Sequence, residues 1–250
     1  MCWFSNLRTK GQVYRMKFDL HIHTHFSRTK HWGSASLIKP KQLLDHAVRI
    51  GLDGLAVTDH DQMDGSLLVA ELAPHWGLIA IPGIEVSTRD GHVLALGVTE
   101  MIRKGLSAEE TIHCIHEQGG IAVAAHPLNL VVSLRQDEII GLPLDALETH
   151  NARSPRNRKA LRLYRRLRLG QTGGSDAHSI AEIGGGITEV RGRFTCYQQV
   201  LHEIKADRAH ASGRQPRYTQ LARACIHTVT TQKKEQIKRR IMVRLGFDAA

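Results

Sequence analysis

Short β-prone runs in this chain keep ending in histidine or a carboxylate. KFDLHI (17–22) carries His21 and leads into His23, and DGLAVTDH (53–60) ends on Asp59 and His60. LIAIPGIEVS (78–87) holds Glu85 just after Pro82-Gly83-Ile84, and HVLALGV (92–98) opens on His92. IAVAAH (121–126) ends on His126, and GQTGGSDAH (170–178) closes on Asp176 and His178. Residues i and i+2 of a strand face the same side, so His21 and His23 can reach one ion together. A lone strand-end histidine is usually an ordinary satisfied side chain. The same signal at five separate strand ends points instead to one shared site. Imidazole with carboxylate suits zinc, manganese or iron rather than calcium. With no thiolate in the set, a purely structural zinc site is disfavoured.

The rest of the pattern is α/β. Helical spacing covers 39–50, with Gly51 just past the end as a C-cap, and about 66–76. Ser107-Ala-Glu-Glu opens a capping box for a helix that runs to about Gln118 and stops at Gly119-Gly120. DALETH (145–150) adds a strand, 155–169 a basic helix and 196–206 a last helix. Strands alternating with helices imply a largely parallel sheet. Seven or so strand–helix units favour a barrel, in which active sites assemble at the C-terminal strand ends. The ordered pattern begins at Met16, which leaves 1–15 as a flexible extension and 16–207 as the main domain. Beyond Asp207, AHASGRQPR reads as a polar linker. Apolar spacing at Tyr218, Leu221, Ala222 and Cys225, then at Ile237, Ile241 and Leu245, makes 208–250 a basic linker with an amphipathic helical tail. No internal repeat or low-complexity tract is present.

At 250 residues and 42% hydrophobic content the chain can bury a core. No apolar run approaches the ~20 residues of a membrane span. Met1–Gln12 lacks a secretory h-region. The four cysteines, at 2, 114, 196 and 225, form no CxxC pair and read as reduced thiols, the three internal ones as packing residues. These features place the expected protein in the cytoplasm. The net charge of +10 is uneven: residues 152–170 hold eight Lys/Arg and no acid, and 208–245 hold ten Lys/Arg against Glu235 alone. Two such segments suit a polyanionic partner or substrate, or else two solvated helix faces.

The ordered set DLHIHT, TDHD, GIEVS, GHVLALG, AHP and GSDAH resembles the PHP family (polymerase and histidinol phosphatase) from Asp19 to His178, and more weakly to about residue 213. The resemblance implies a distorted seven-stranded (β/α) barrel with a trinuclear metal centre. It implies that His21, His23, Glu85 and Asp176 hold one metal, and that Glu85 bridges to a second completed by His92 and His126. His60 and His178 would hold the third. Relatives often add an Asp just after the residue matching Ser27. That position is Arg28 here, so His31 is the expected substitute, with Ser34 a weaker one. Two adjacent metals can clamp a phosphate and activate water.

Around that centre, Asp176, Glu85 and Arg153 are the candidate catalytic residues. Arg153, in Glu148-Thr-His-Asn-Ala-Arg, could grip phosphate through its guanidinium, or could simply open a basic helix. Asp59 and Asp176 are the acids placed for proton transfer, although Asp59, beside His60, fits better as the partner that orients a ligating imidazole. His25 and His150 are expected behind the ligands or in the outer pocket. His46, His75, His113, His116, His202, His210 and His227 read as structural or surface residues.

The function these readings support is hydrolysis of a phosphate monoester or diester, on a phosphorylated small molecule or nucleotide, with two or three zinc, manganese or iron ions. The basic segments keep open a nuclease or oligonucleotide phosphatase, although 5% aromatic content argues against a base-stacking platform. A non-catalytic nucleic-acid-binding module, and hydrolysis of an amide or lactone, are the remaining alternatives.

Overall fold

The computed structural model describes residues 14–27, 36–129 and 132–215. Within these residues nine strands form one sheet: β1 (Arg15–Ile22), β2 (Gly54–Val57), β3 (Ile79–Ser87), β4 (His92–Leu96), β5 (Ile121–Ala124), β6 (Ala146–Asn151), β7 (Gly170–Gly174), β8 (Gly186–Arg191) and β9 (Ala209–Gly213). Their order is β7-β6-β5-β4-β3-β2-β1-β8-β9. The sheet curls into a nearly closed barrel. The chain leaving β7 returns to β1, where the His23 amide donates to the Ala177 carbonyl at 3.0 Å and the Asp176 amide to that of His21 at 2.7 Å. Beside it the Gly173 amide donates to the Thr188 hydroxyl on β8 at 2.8 Å.

The expectation of seven strands gives way to nine, and the largely parallel sheet to a mixed one. β3–β4, β4–β5, β1–β8 and β8–β9 pair antiparallel, while β1–β2, β2–β3, β5–β6 and β6–β7 are parallel. The start of the expected linker is strand β9 itself, which completes its ladder on β8 from Val190↔Ala209 to Gly186↔Gly213. The amphipathic helical tail, and nearly all of the N-terminal extension, lie outside the described residues.

Among the described residues six α-helices cover the sheet: α1 (Pro40–Arg49), α2 (Asp64–Leu72), α3 (Ala108–Glu117), α4 (Gln136–Gly141), α5 (Asn157–Tyr164) and α6 (Tyr197–Lys205). Local chemistry sets their ends. Pro40 occupies the first turn of α1, where its missing N–H costs nothing, and Gly51 beyond the end takes φ +75°. The Ser107–Glu110 capping box forms as expected, with its reciprocal bonds at 3.1 and 2.8 Å.

Phe18, Leu20, Ile81, Leu94, Leu96 and Val123 pack with Val200, Leu201 and Ile204 of α6. That helix crosses the end of the barrel where β7 begins, so close that a side chain at Gly170 would strike the Ile204 carbonyl. A second cluster lies under α1 and α2 (Leu43, Leu44, Val69), and a third under α3 and α5 (Ile112, Ile115, Leu163). Each fully buried side chain of this size contributes ~1.5–3 kcal/mol. The opposite rim of the barrel is left polar.

Candidate metal centre

That polar rim collects the strand ends. β1, β2, β3, β5, β6 and β7 reach it with their C-termini. β4 runs antiparallel to both its neighbours, so it reaches the rim with its first residue, His92. An opening histidine and six closing segments therefore meet at one place.

Glu85 is the hub. Its Oε1 lies 2.8 Å from His92 Nδ1 and 3.0 Å from His126 Nε2. Its Oε2 lies 3.3 Å from the Nε2 atoms of His21 and His23 and 3.1 Å from His60 Nδ1. Asp176 Oδ1 stands 3.3 Å from His23 Nε2 and 3.8 Å from His21 Nε2. The donor atoms of four trios each fall within 4.8 Å of one another: His21/His23/Asp176, His21/Glu85/His126, His60/Glu85/His92 and His23/His60/His178. His21, His23 and Glu85 have no exposed surface, His60, His92 and His126 are nearly as deep, and Asp176 and His178 are half-buried.

Irregular backbone aims these side chains. The β1–β2 register shifts between Asp19 and Ile22, and the β6–β7 register between Glu148 and His150. Such breaks bend a strand and redirect what it carries. His126 and Asp176 both adopt left-handed φ, +30° and +54°, a conformation that costs on the order of 1–3 kcal/mol per non-glycine residue unless the surroundings hold it. Glu148 supplies part of that hold. It accepts the His126 amide at 2.6 Å and the Asn151 side-chain amide at 3.0 Å, and its other oxygen lies 3.0 Å from His21 Nδ1. Gly174 makes room for this contact, since a Cβ there would lie 2.3 Å from that of His21. Asn151 also donates to Asp176 Oδ2 at 3.3 Å. Ser133 meets His126 Nδ1 at 2.9 Å, and Ser27 accepts the His60 amide at 3.0 Å.

The charges follow from this packing. Burial opposes ionisation of Glu85, yet His60, His92, His21 and the His126 hydrogen bond hold it well below the usual carboxylate range. Burial likewise works against Asp176, but His21, His23 and Arg153 keep it ionised. Burial takes His60 down to about 3, with His23 and His92 opposing its charge, and takes His178 well below its usual value, helped by His23 and Arg153. His21 is raised: its burial is outweighed by Glu148, Asp176 and Glu85. His23 and His126 are raised in the same way by the carboxylates near them.

The donor set fits divalent ions. Six imidazoles converge on Glu85 and Asp176, and the Nε2 atoms of His21 and His23 face each other at 3.1 Å. His178 Nε2 is buried with no hydrogen-bond partner. A buried, unpaired ring nitrogen is costly, and neutral imidazole with carboxylate is the set that binds first-row divalent ions.

Of the residues expected from sequence, His21, His23, His60, Glu85, His92, His126, Asp176 and His178 come together. His31, and the alternative Ser34, lie outside the described residues. Arg153 is at the site: one guanidinium nitrogen contacts the His178 ring and donates to the Asp176 carbonyl at 3.4 Å. Asp59 differs from its expected role of orienting an imidazole. Its two oxygens are taken at 2.5 Å by the amide and hydroxyl of Thr24, which fasten the segment after β1.

His25 is exposed and bonds the Ile38 carbonyl, while His150 bonds that of Arg214. Neither reaches the cluster. His46, His75, His113, His116 and His202 stand on or beside helices, and His210 on β9; His227 is outside the described residues, as are Cys2 and Cys225. Cys114 packs against the core, but Cys196 is exposed rather than packed. Sequence reasoning passed over Glu148 and Asn151. Both stand in the ETHNAR segment beside Arg153, and the available signal is a run of polar residues closing a short strand that alternates with helices like the others.

A family model described as PHP-associated matches residues 154–209. The uncharacterized protein MJ1587 of Methanocaldococcus jannaschii is 39% identical over 141 residues, which are 55% of this chain and 82% of that protein. A two-domain protein of Bacteroides vulgatus containing a predicted PHP-like metal-dependent phosphoesterase shares the fold, with a TM-score of 0.67 and 19% identity, over 86% of this chain and 70% of that one. So does the lesion-specific endonuclease Q of Pyrococcus furiosus, with a TM-score of 0.61 and 18% identity, over 82% of this chain but only 60% of the endonuclease. No helix among the described residues is long and apolar enough to cross a membrane. From the ordered motifs, the histidine–carboxylate rim and these likenesses, the chain belongs to the PHP family.

Proposed function

We propose that this chain hydrolyses a phosphate monoester or diester at a centre of two or three divalent ions, zinc, manganese or iron. The observation that carries the reading is the single buried Glu85 carboxylate within 3.3 Å of five imidazoles, with Arg153 at its edge. His21, His23, Glu85 and Asp176 would hold one ion, Glu85, His92 and His126 a second, and His60 and His178 a third. When bound, the ions supply Lewis-acid charge for the phosphoryl oxygens and make water a nucleophile at neutral pH.

The chain's own residues do the rest. Arg153, whose backbone amide is fixed on the Asn151 side chain at 2.9 Å, presents a guanidinium that pairs with phosphoryl oxygens. Asp176 is kept ionised, so it takes a proton from the attacking water rather than giving one. Glu148 and Asn151 hold His21 and Asp176 in place. The substrate class is a phosphorylated small molecule or nucleotide. Arg153 at the rim supports a phosphate ester over an amide or lactone.

The test is hydrolysis of p-nitrophenyl phosphate and bis(p-nitrophenyl) phosphate by manganese- or zinc-loaded protein. Activity on at least one ester, lost in Asp176→Asn and with KM raised roughly tenfold in Arg153→Ala, is expected, since one charged hydrogen bond is worth about 1.5–3 kcal/mol. A loaded wild-type protein inert towards both esters contradicts the reading.

A further inference from the structure

Resting on the phosphoesterase reading, we infer that the outer face of α5 and the turn after it dock the phosphate backbone of a nucleic-acid duplex and deliver it to the metal rim. Arg158, Lys159, Arg162, Arg165, Arg166 and Arg168 are all exposed here, while Asn157, Ala160 and Leu163 face the core. No acid falls anywhere in 152–170. Among the described residues, the ion pairs of Lys and Arg involve Arg15, Arg89, Lys104, Arg135, Lys205 and Arg208, and none of the α5 cations.

Such a face repels itself, and its placement is not what helix stability asks for. A helix favours acids in its first turn and cations in its last. Here the first turn has no acid, and Arg158 and Lys159 stand where the helix dipole is already positive. The cost is repaid only when something anionic lies against the face. The stretch from Arg156 to Arg166 is roughly 15 Å long at helical rise, which suits several backbone phosphates rather than one small ester.

The face is joined to the site. The Asn157 side chain, in the first turn, donates to the Asn151 carbonyl at 2.9 Å and accepts the Asn151 amide at 3.0 Å. Asn151 in turn contacts Asp176 and carries Arg153. Ser154 ties the same turn to Asn129, beyond β5, at 2.7 Å. A strand laid on α5 is therefore led towards Arg153. The one aromatic residue of 152–170, Tyr164, spends its hydroxyl on Asp207 and Gln171, so bases find no stacking platform. Recognition is then of the outward phosphates of a duplex, independent of sequence.

The experiment compares metal-loaded wild type with R158Q/R162Q/R165Q/R166Q, reading the anisotropy of a labelled DNA duplex with phosphorothioate linkages over a series of salt concentrations. Gln matches Arg in helix propensity, and the four-fold Lys variant restores the charge. The Gln variant should bind at least about tenfold more weakly. Its slope of log Kd against log salt should fall by about 3.6, near 0.9 for each of the four lost contacts. The Lys variant should keep the slope, and hydrolysis of bis(p-nitrophenyl) phosphate should be unchanged in both. An unaltered Kd and slope in the Gln variant overturns the docking surface. So does loss of binding to phosphatidylserine vesicles with duplex binding intact. If wild type hydrolyses neither small ester but the slope still falls, the surface stands and the phosphoesterase reading fails.

Discussion

The two ends of the barrel each carry a histidine–carboxylate cluster, and the two are built to different rules. At the end crossed by α6, Asp145 accepts from His116 Nε2 at 2.7 Å, from the Ala122 amide at 2.8 Å and from Lys205 Nζ at 2.7 Å. Every group there has its complement within the protein. At the opposite rim six imidazoles share Glu85 and Asp176, ring nitrogens face each other, and His178 Nε2 has no partner. Among the described residues nothing completes that set. The difference separates a cluster that fastens the fold from one that asks for ions, although both draw on the same residue types.

Chelation should part the two ends most sharply. If the ions bind at about one-thousandth of their working concentration, stripping them lowers stability by ~4 kcal/mol, read as a shift in the urea midpoint. A midpoint indifferent to chelator would erase the distinction. Next in size is Glu148→Gln, which keeps shape but removes the charge beside His21. Metal affinity should fall about 10–100-fold in a chelator competition, with the apo protein still folded. An unchanged affinity would make Glu148 a strand-packing residue only.

The smallest effect lies at the other end. Asp145→Asn should cost about 2 kcal/mol of stability and leave metal affinity unchanged. Burial pushes the Asp145 carboxyl up, but Lys205, the Ala122 amide and His116 outweigh it and hold it below its usual value. Its folded pKa thus lies below the unfolded one. Its contribution is fully present above about pH 4 and is lost as pH falls through the folded value. Urea unfolding across pH should show the variant's deficit shrinking in acid. A deficit that grows in acid, or a loss of bound metal, would break the comparison.

The rim was far more legible in the sequence than the closure of the barrel. His21, His23, His60, Glu85, His92 and His126 announce themselves because each caps a short apolar run, and a polar group at the end of a buried strand needs a reason. Strand direction is not written locally. HVLALGV looks like its neighbours, and only the short 88–91 connection hints that β4 turns back, which is what brings His92 to the same rim as the other candidate ligands. β8 and β9 escaped for a different reason. GITEVR is half polar, and AHASG has no β-branched or large apolar residue, so both lack the signal that marks a buried strand. They are held by register with β1 and by each other. Glu148 and Asn151 are hidden in sequence because their work is visible only once β5 and β7 flank β6 and the barrel closes to bring His21 of β1 beside Glu148.

The central claim is that the rim holds ions through Glu85. The direct measurement is metal content by mass spectrometry of protein purified without chelator, beside Glu85→Ala. Two or three ions per wild-type chain, with most of them lost from a folded variant, are expected. A folded wild-type protein that stays free of metal after manganese or zinc is supplied, or a variant that keeps the full complement, would contradict the account.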